Sequence, residues 1–205
     1  MLSSAYFAPV QWYQKLNRYA TVHVERFDSF TKQTYRNRCV IATTNGLLPL
    51  TVPVEHFAPS VGGSNGEGLM RDVRISDHGS WRHRHWNALA SAYGDSPFFL
   101  YYADDLRPFF ERRWTFLYDF NMEITLKMCE LLDIHPCILP TKEFVKSARD
   151  VDDFRETIHP KHPYPDTSFS PVRYHQVYEQ RFGFQPNLSI LDLLFNQGNE
   201  SILYL

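Results

Sequence analysis

The stretch from Arg38 to Val54, RCVIATTNGLLPLTVPV, limits the fold of this chain more than any other segment. Two β-rich runs flank Thr44-Asn45-Gly46, and Asn-Gly favours a tight turn whose twist matches paired strands, so a β-hairpin is expected. Pro49 and Pro53 cannot donate to a strand ladder, which places the second arm at a sheet edge or on a bulge. Around this hairpin, residues 2–7 (LSSAYF) read as a short first strand. Pro9 suits the first turn of a helix that Val10, Tyr13, Leu16 and Asn17 continue. Residues 21–27 (TVHVERF) alternate as a second strand, and 69–77 (LMRDVRISD) read as another. Between them, 57–68 (FAPSVGGSNGEG) is a glycine-rich loop, either a solvent loop or a lid.

From Ser80 the apolar period changes from two to that of a helix. Ser80 is the expected cap of a helix with Trp81, His85, Ala88, Leu89 and Ala92 on one face, ending at Gly94. Pro108 is expected to open the longest helix. Phe110, Trp114, Leu117, Asn121, Ile124, Met128 and Leu131 form its stripe, at alternating spacings of four and three. Asn121 interrupts the stripe, and a buried amide without partners costs roughly 1–3 kcal/mol, so it must find some. Prolines cut the tail into short pieces, with helical patterns at 174–184 and 187–198, Asn187 and Ser189 as caps and Gly198 as a stop. The pattern predicts an α/β chain, with mixed α+β open: an N-terminal mixed sheet with a hairpin (1–77), then a mainly helical half (80–205), within one domain over 1–205.

Composition narrows the function classes. A net charge of −2, from 21 basic and 23 acidic residues, argues against a nucleic-acid protein, for which a pI above about 9 is usual. Cys39, Cys129 and Cys137 have unrelated spacings and no CxxC, so neither a disulfide framework nor a zinc site follows. Reduced thiols, with no signal peptide and no apolar run near the ~18 residues of a membrane span, point to a cytoplasmic protein. Aromatic residues make up 16% of the chain, enough to build a core or to line a pocket that stacks a sugar or base.

No GxGxxG, GxxxxGK[ST], HExxH or GxSxG is present, and no motif indicates a cofactor. Three clusters remain. Tyr35-Arg36-Asn37-Arg38 enters the hairpin, and if extended it puts Arg36 and Arg38 on one face, two guanidinium forks suited to a pyrophosphate or carboxylate. The plainer reading is a solvated strand face. Within Trp81-Arg82-His83-Arg84-His85-Trp86, His85 either serves as a general base or packs against aromatics. His83 and His85 are two apart on a helix and point away from each other, so no metal site is expected there. His159-Pro160-Lys161-His162, near Asp150, Asp152 and Asp153, lacks regular ligand spacing and reads as a surface loop. Cys129 reads as inert core, whereas Cys39 follows Arg38, a setting that can lower a thiol pKa.

The segments YRNRCVIATTNGLLPLTVPVE (35–55), WRHRHWNALASAYGDSPFFLYY (81–102) and FGFQPNLSILDLLFNQG (182–198) resemble the WbqC-like family, in order and over nearly the whole chain. Members occur in bacterial surface-polysaccharide and O-antigen gene clusters, and most are uncharacterised. The resemblance implies a setting in which a nucleotide-activated amino sugar is modified or assembled. It carries over Arg36, Asn37 and Arg38 from the hairpin entry, His85 and Tyr93 from the helix, and Asn187, Ser189 and Asp192 from the terminal motif. Many members have Gln-Pro-x-Tyr-Leu-Pro after the first strand. Here the equivalent is Ser3-Ser4-Ala5-Tyr6-Phe7-Ala8-Pro9, which keeps Tyr6 and Pro9 but lacks Gln-Pro.

Three functions follow as expectations. The first is an acyl- or aminoacyl-type transferase acting on a nucleotide-linked amino sugar, with Arg36 and Arg38 on the diphosphate, Asn37, Tyr35 and Tyr93 as further substrate contacts, and His85 as base. The second is a nucleotide-binding or nucleotidyl-transferring enzyme with phosphate at the N-terminus of the first helix. The third is a non-enzymatic binding module of a polysaccharide assembly complex. For Asp192, three positions after Ser189, the spacing favours a structural part in capping the last helix over orienting His85.

Overall fold

The structure, a computed structural model, describes residues 1–55, 68–146, 151–161 and 163–205. Strands β1 (Leu2–Ser3), β2 (Thr21–Glu25) and β5 (Cys137–Pro140) form a parallel sheet in the order β1-β2-β5. Helix α1 (Val10–Arg18) makes the crossover from β1 to β2, as parallel pairing requires. Its Val10, Trp12, Tyr13 and Leu16 are buried. β3 (Arg38–Thr43) and β4 (Gly46–Thr51) form the hairpin as a separate two-stranded sheet. The helices that follow are α2 (Trp81–Tyr93), α3 (Phe99–Leu106), α4 (Pro108–Glu111), α5 (Leu117–Leu131), α6 (Glu179–Phe182) and α7 (Ile190–Gln197). The fold is mixed α/β, with most strands before Ser80 and most helices after it.

Several local expectations change. The hairpin forms, but its two loop residues are Thr44 and Asn45, and the positive φ falls on Gly46 at +103°. Thr43 fixes this turn: its hydroxyl donates to the Gly46 carbonyl at 2.8 Å and accepts from the Asn45 N–H at 3.2 Å. The long helix expected from Pro108 breaks between α4 and α5, because residues 115–117 pair with the chain at 73–75 through Ile75 N–H to Thr115 and Leu117 N–H to Val73. The 69–77 strand is correspondingly a 3₁₀ turn (Met70–Asp72) followed by isolated bridges. Ser80 does not cap α2; it lies in the left-handed region at φ 47° with no capping bond. The helical pattern at 174–184 shortens to α6, since Tyr174 and Gln176 reach inward instead. Residues 57–67 of the expected loop lie outside the described residues.

The buried apolar side chains form one cluster from β1 to α7. Ile190 to Asn196 are all buried, so α7 lies inside the molecule rather than on it. It packs on α1, α3 and β3. At its end Gly198 has φ +56°, and a Cβ there would meet the Phe98 ring at 2.6 Å, so only glycine fits.

Candidate active site at the carboxyl end of the parallel sheet

The strands of an open parallel sheet present their carboxyl ends to ligands. Those ends and the residues just beyond them carry Ser3 and Ser4 at β1, Glu25 and Asp28 at β2, and Thr141 at β5. Arg36, just before the hairpin, turns into this group. Its Nε donates to Asp28 Oδ2 at 3.1 Å, and its Nη2 donates to the Ser3 hydroxyl at 3.1 Å and to Asp28 Oδ2. No bond to Arg36 Nη1 forms among the described residues. Asn121 comes in from α5: its Nδ2 donates to the Ser4 hydroxyl at 2.9 Å and to the Arg36 carbonyl at 2.8 Å. The amide within the apolar stripe thus finds partners through its Nδ2 only; its Oδ1 has none among the described residues.

Glu25 is fully buried and accepts five bonds. Its donors are the N–H groups of Arg26, Phe27 and Val145, the Thr141 hydroxyl at 2.7 Å, and Arg155 Nη1 at 3.1 Å. Arg155 commits its remaining nitrogens to Asp153. Burial works to raise the Asp153 pKa, and the Arg155 hydrogen bonds overcome it, leaving Asp153 below the usual carboxylate range. Burial raises Asp28 despite the opposing charge of Arg36. Three polar atoms on this ring of residues, Asp28 Oδ1, Asn121 Oδ1 and Arg26 Nε, are buried without a partner among the described residues. Ser3, Ser4, Tyr35, Arg36, Arg155 and His159 line a cavity of only about 10 Å³, room for about one water. Phe154, Arg155, Ile158 and His159 form one side of it.

The sequence-predicted residues divide into three places. Tyr35 and Arg36 line this cavity, and burial pushes the Tyr35 hydroxyl up to about 12. Asn37 lies beside them but turns to the hairpin, its Nδ2 donating to the Val52 carbonyl at 2.9 Å. Arg38 bonds Thr51 Oγ1 across the hairpin, so the two arginines share no partner. His85 is 6% exposed, with Nδ1 paired to the Tyr6 hydroxyl at 2.9 Å and Trp81 packed edge-on at 5.1 Å. Burial lowers its pKa to about 4, with a smaller opposing effect from a hydrogen bond to the Thr51 backbone. Cys39 is buried, and that burial pushes its thiol up to about 12, the reverse of what Arg38 as neighbour suggested.

Tyr93, Asn187, Ser189 and Asp192 lie in the terminal motif and its surroundings. Asp192 is 1% exposed and accepts from Tyr93 at 2.9 Å, Tyr174 at 2.7 Å and Gln176 at 2.8 Å, so its carboxylate neither reaches back to a cap nor touches His85. Ser189 does cap α7, accepting from Leu191 N–H at 3.4 Å, and donates to the Phe7 carbonyl at 2.8 Å. Asn187 caps a different helix: its Oδ1 takes the Gln11 N–H of α1 at 2.9 Å, while the Leu188 carbonyl takes that of Val10. The start of α1 is thus filled by the chain's own terminal motif.

Glu25, Asp28 and Arg155 belong to none of the clusters singled out from the sequence. Two carboxylates closing the second strand were the available signal for the first two; nothing local marks Arg155. Of the third cluster, Asp150 and His162 lie outside the described residues. Among the described residues no group of three or more His, Cys, Asp or Glu could hold a metal ion, and no helix is long and apolar enough to cross a membrane. A larger cleft of about 410 Å³ between α3, α4 and α5 has Phe109 and Trp114 in its wall. On its rim Lys127 pairs with Asp105 and Glu130.

A family model for the WbqC-like protein family matches residues 4–159 and 165–204. The chain is also 30% identical over 201 residues to the "Uncharacterized protein Rv1507c" of Mycobacterium tuberculosis (strain ATCC 25618 / H37Rv), covering 86% of this chain and 83% of that one. No solved structure matches it. The chain belongs to the WbqC-like protein family.

Proposed function

We infer that this chain works in bacterial surface-polysaccharide biosynthesis by binding a nucleotide-linked amino sugar at the carboxyl end of its parallel sheet, as an acyl- or aminoacyl-type transferase. The setting comes from the family resemblance. The observation that carries the site is the convergence there of Arg36, Ser3 and Ser4 with buried acceptors, Asp28 Oδ1 and Asn121 Oδ1, that have no partner among the described residues. Buried polar atoms are normally satisfied, so these are suited to hydroxyl or ammonium donors of a sugar. Arg36 is the cation for phosphate, through Nη1. In this reading the base is Asp28, whose pKa burial raises, and it takes a proton from the sugar ammonium to leave a nucleophilic amine. His85 has the part of a packed, neutral histidine that holds Tyr6.

A cavity of about 10 Å³ does not hold a sugar, and in this reading the segment Phe154–His159 lifts to admit it. The filled start of α1 removes the support for phosphate at that helix end, which the nucleotidyl reading relied on. Thermal shift with a panel of nucleotide-linked amino sugars tests the binding. A ligand at about 100 times its dissociation constant stabilises by about 2.7 kcal/mol, about 5–10 °C for this size. Incubation of a binder with activated acyl donors, read by mass shift on the sugar, tests the transfer. Flat melting curves across the panel would remove the basis for the reading.

A further inference from the structure

A cavity of about 170 Å³ lies between the hairpin and the segment running through α6. Its apolar wall is Ala42, Leu47 and Phe182, with the bare backbone of Gly46 and Gly183. A Cβ added at either glycine would meet nothing within 4 Å. The polar side chains that also line it face partners in the protein. Gln176 donates to Tyr174, to the Gln185 carbonyl and to Asp192, and its carbonyl accepts from the Gln185 N–H. The Tyr178 hydroxyl donates to the Ala92 carbonyl at 2.8 Å, and Gln185 Nε2 donates to the Phe182 carbonyl at 2.9 Å. With most of these polar groups so engaged, the space favours an apolar occupant. An apolar cavity of about 150 Å³ accommodates benzene, so this one suits a single ring or a chain of about six carbons.

Arg181 adds a charge. It projects from α6 and donates through Nη1 to the Thr44 carbonyl at 2.6 Å, bridging the two walls at the hairpin turn. It stacks over the Phe182 ring at 5.1 Å and forms no ion pair among the described residues. Leu47 and Phe182 are 53% and 36% exposed, so the apolar wall continues to the surface beside this guanidinium. We propose that this cavity is a second binding site, taking a short amphiphilic carboxylate with its apolar end inside and its charge at Arg181. The site is independent of the polar junction at the sheet end. β3 runs the six residues from Arg38 to Thr43, about 16 Å, between the two.

Saturation-transfer NMR on the full chain with hexanoate, 1-hexanol and hexylammonium tests this. Hexanoate binds in the millimolar range and hexylammonium does not. Arg181→Ala lowers hexanoate affinity about tenfold, to the level of 1-hexanol, which is itself unaffected by that change. Ala42→Leu fills the cavity and abolishes binding of both. Because Ala42 is buried in the hairpin, Phe182→Ser, at an exposed position, serves as the second variant, with circular dichroism confirming the fold. It weakens hexanoate and 1-hexanol together. Absence of hexanoate binding to the wild type, equal binding of hexylammonium, or hexanoate binding unchanged in Arg181→Ala and Phe182→Ser would each overturn the proposal.

Discussion

Asn187 and Gln11 bond each other twice across most of the chain's length: Asn187 Oδ1 accepts from the Gln11 N–H at 2.9 Å, and Asn187 Nδ2 donates to Gln11 Oε1 at 3.0 Å. The first helix is therefore capped by a residue from the last motif. Asn187 has φ 60°, a left-handed conformation that Gly shares. Asn187→Gly should lose both side-chain bonds without backbone strain and cost about 1 kcal/mol in urea unfolding. Asn187→Ala should cost about 1 kcal/mol more, because its Cβ is strained at that φ. Equal costs for the two variants would show that the conformation does not matter.

His85 gives the protein an acid sensitivity with a defined sign. Burial lowers its folded pKa to about 4, so the unfolded chain takes up this proton first as pH falls from about 6.5. Stability is then lost between about pH 6.5 and pH 4, by about 3 kcal/mol from this residue. Unfolding free energies measured across that range should fall in the wild type. They should fall less steeply, by about that amount, in His85→Gln.

Asp192 runs the other way. Burial is the largest influence and raises its pKa, although Tyr174, Tyr93 and Gln176 all favour the charged form. The folded state holds this proton more tightly than the unfolded chain. Its contribution is thus fully present below about pH 3.9 and is lost as pH rises through the folded value. Asp192→Asn sets an amide against hydroxyl and amide donors and should cost about 1–3 kcal/mol. The margin of wild type over Asp192→Asn should be widest in acid, and binding of any nucleotide-linked sugar should stay near the wild-type level. A binding defect at unchanged melting temperature would place Asp192 in the site.

Arg155 clamps the closing segment to the sheet. Its side chain is 9% exposed and Glu25 is fully buried, so removing it strips the cation from a buried carboxylate. Glu25 keeps its backbone and Thr141 donors, which puts Arg155→Ala near the low end for a broken buried pair, about 3 kcal/mol. Hydrogen exchange around Phe154–His159 should accelerate in this variant more than elsewhere. Uniform acceleration would mean that the clamp holds the whole fold rather than this segment.

The parts of the fold that were legible in the sequence are those set by local chemistry. β2, the hairpin, α1 and the buried face of α2 follow from alternation, turn residues and helical spacing. The four residues of β5 carry no such signal, since Cys137–Pro140 become a strand only by pairing with β2. The break at 112–116 has the same origin: apolar spacing is continuous through it, and pairing with residues 73–75 overrides it. At the candidate site, Tyr35 and Arg36 were visible because the motif is contiguous. Asp28 and Arg155 were not, because each gains its meaning from a partner 8 or 130 residues away.

In the proposed function Arg36, and not the neighbouring Arg38, holds the anionic part of the ligand. Calorimetric titration of a nucleotide-linked amino sugar into wild type, Arg36→Lys and Arg38→Ala tests it most directly. Lys keeps a charge opposite Asp28 but loses the guanidinium fork. Affinity should fall about tenfold or more in Arg36→Lys and stay at the wild-type value in Arg38→Ala. Unchanged affinity in Arg36→Lys, or loss of binding in Arg38→Ala alone, would show that Arg36 does not hold the anion.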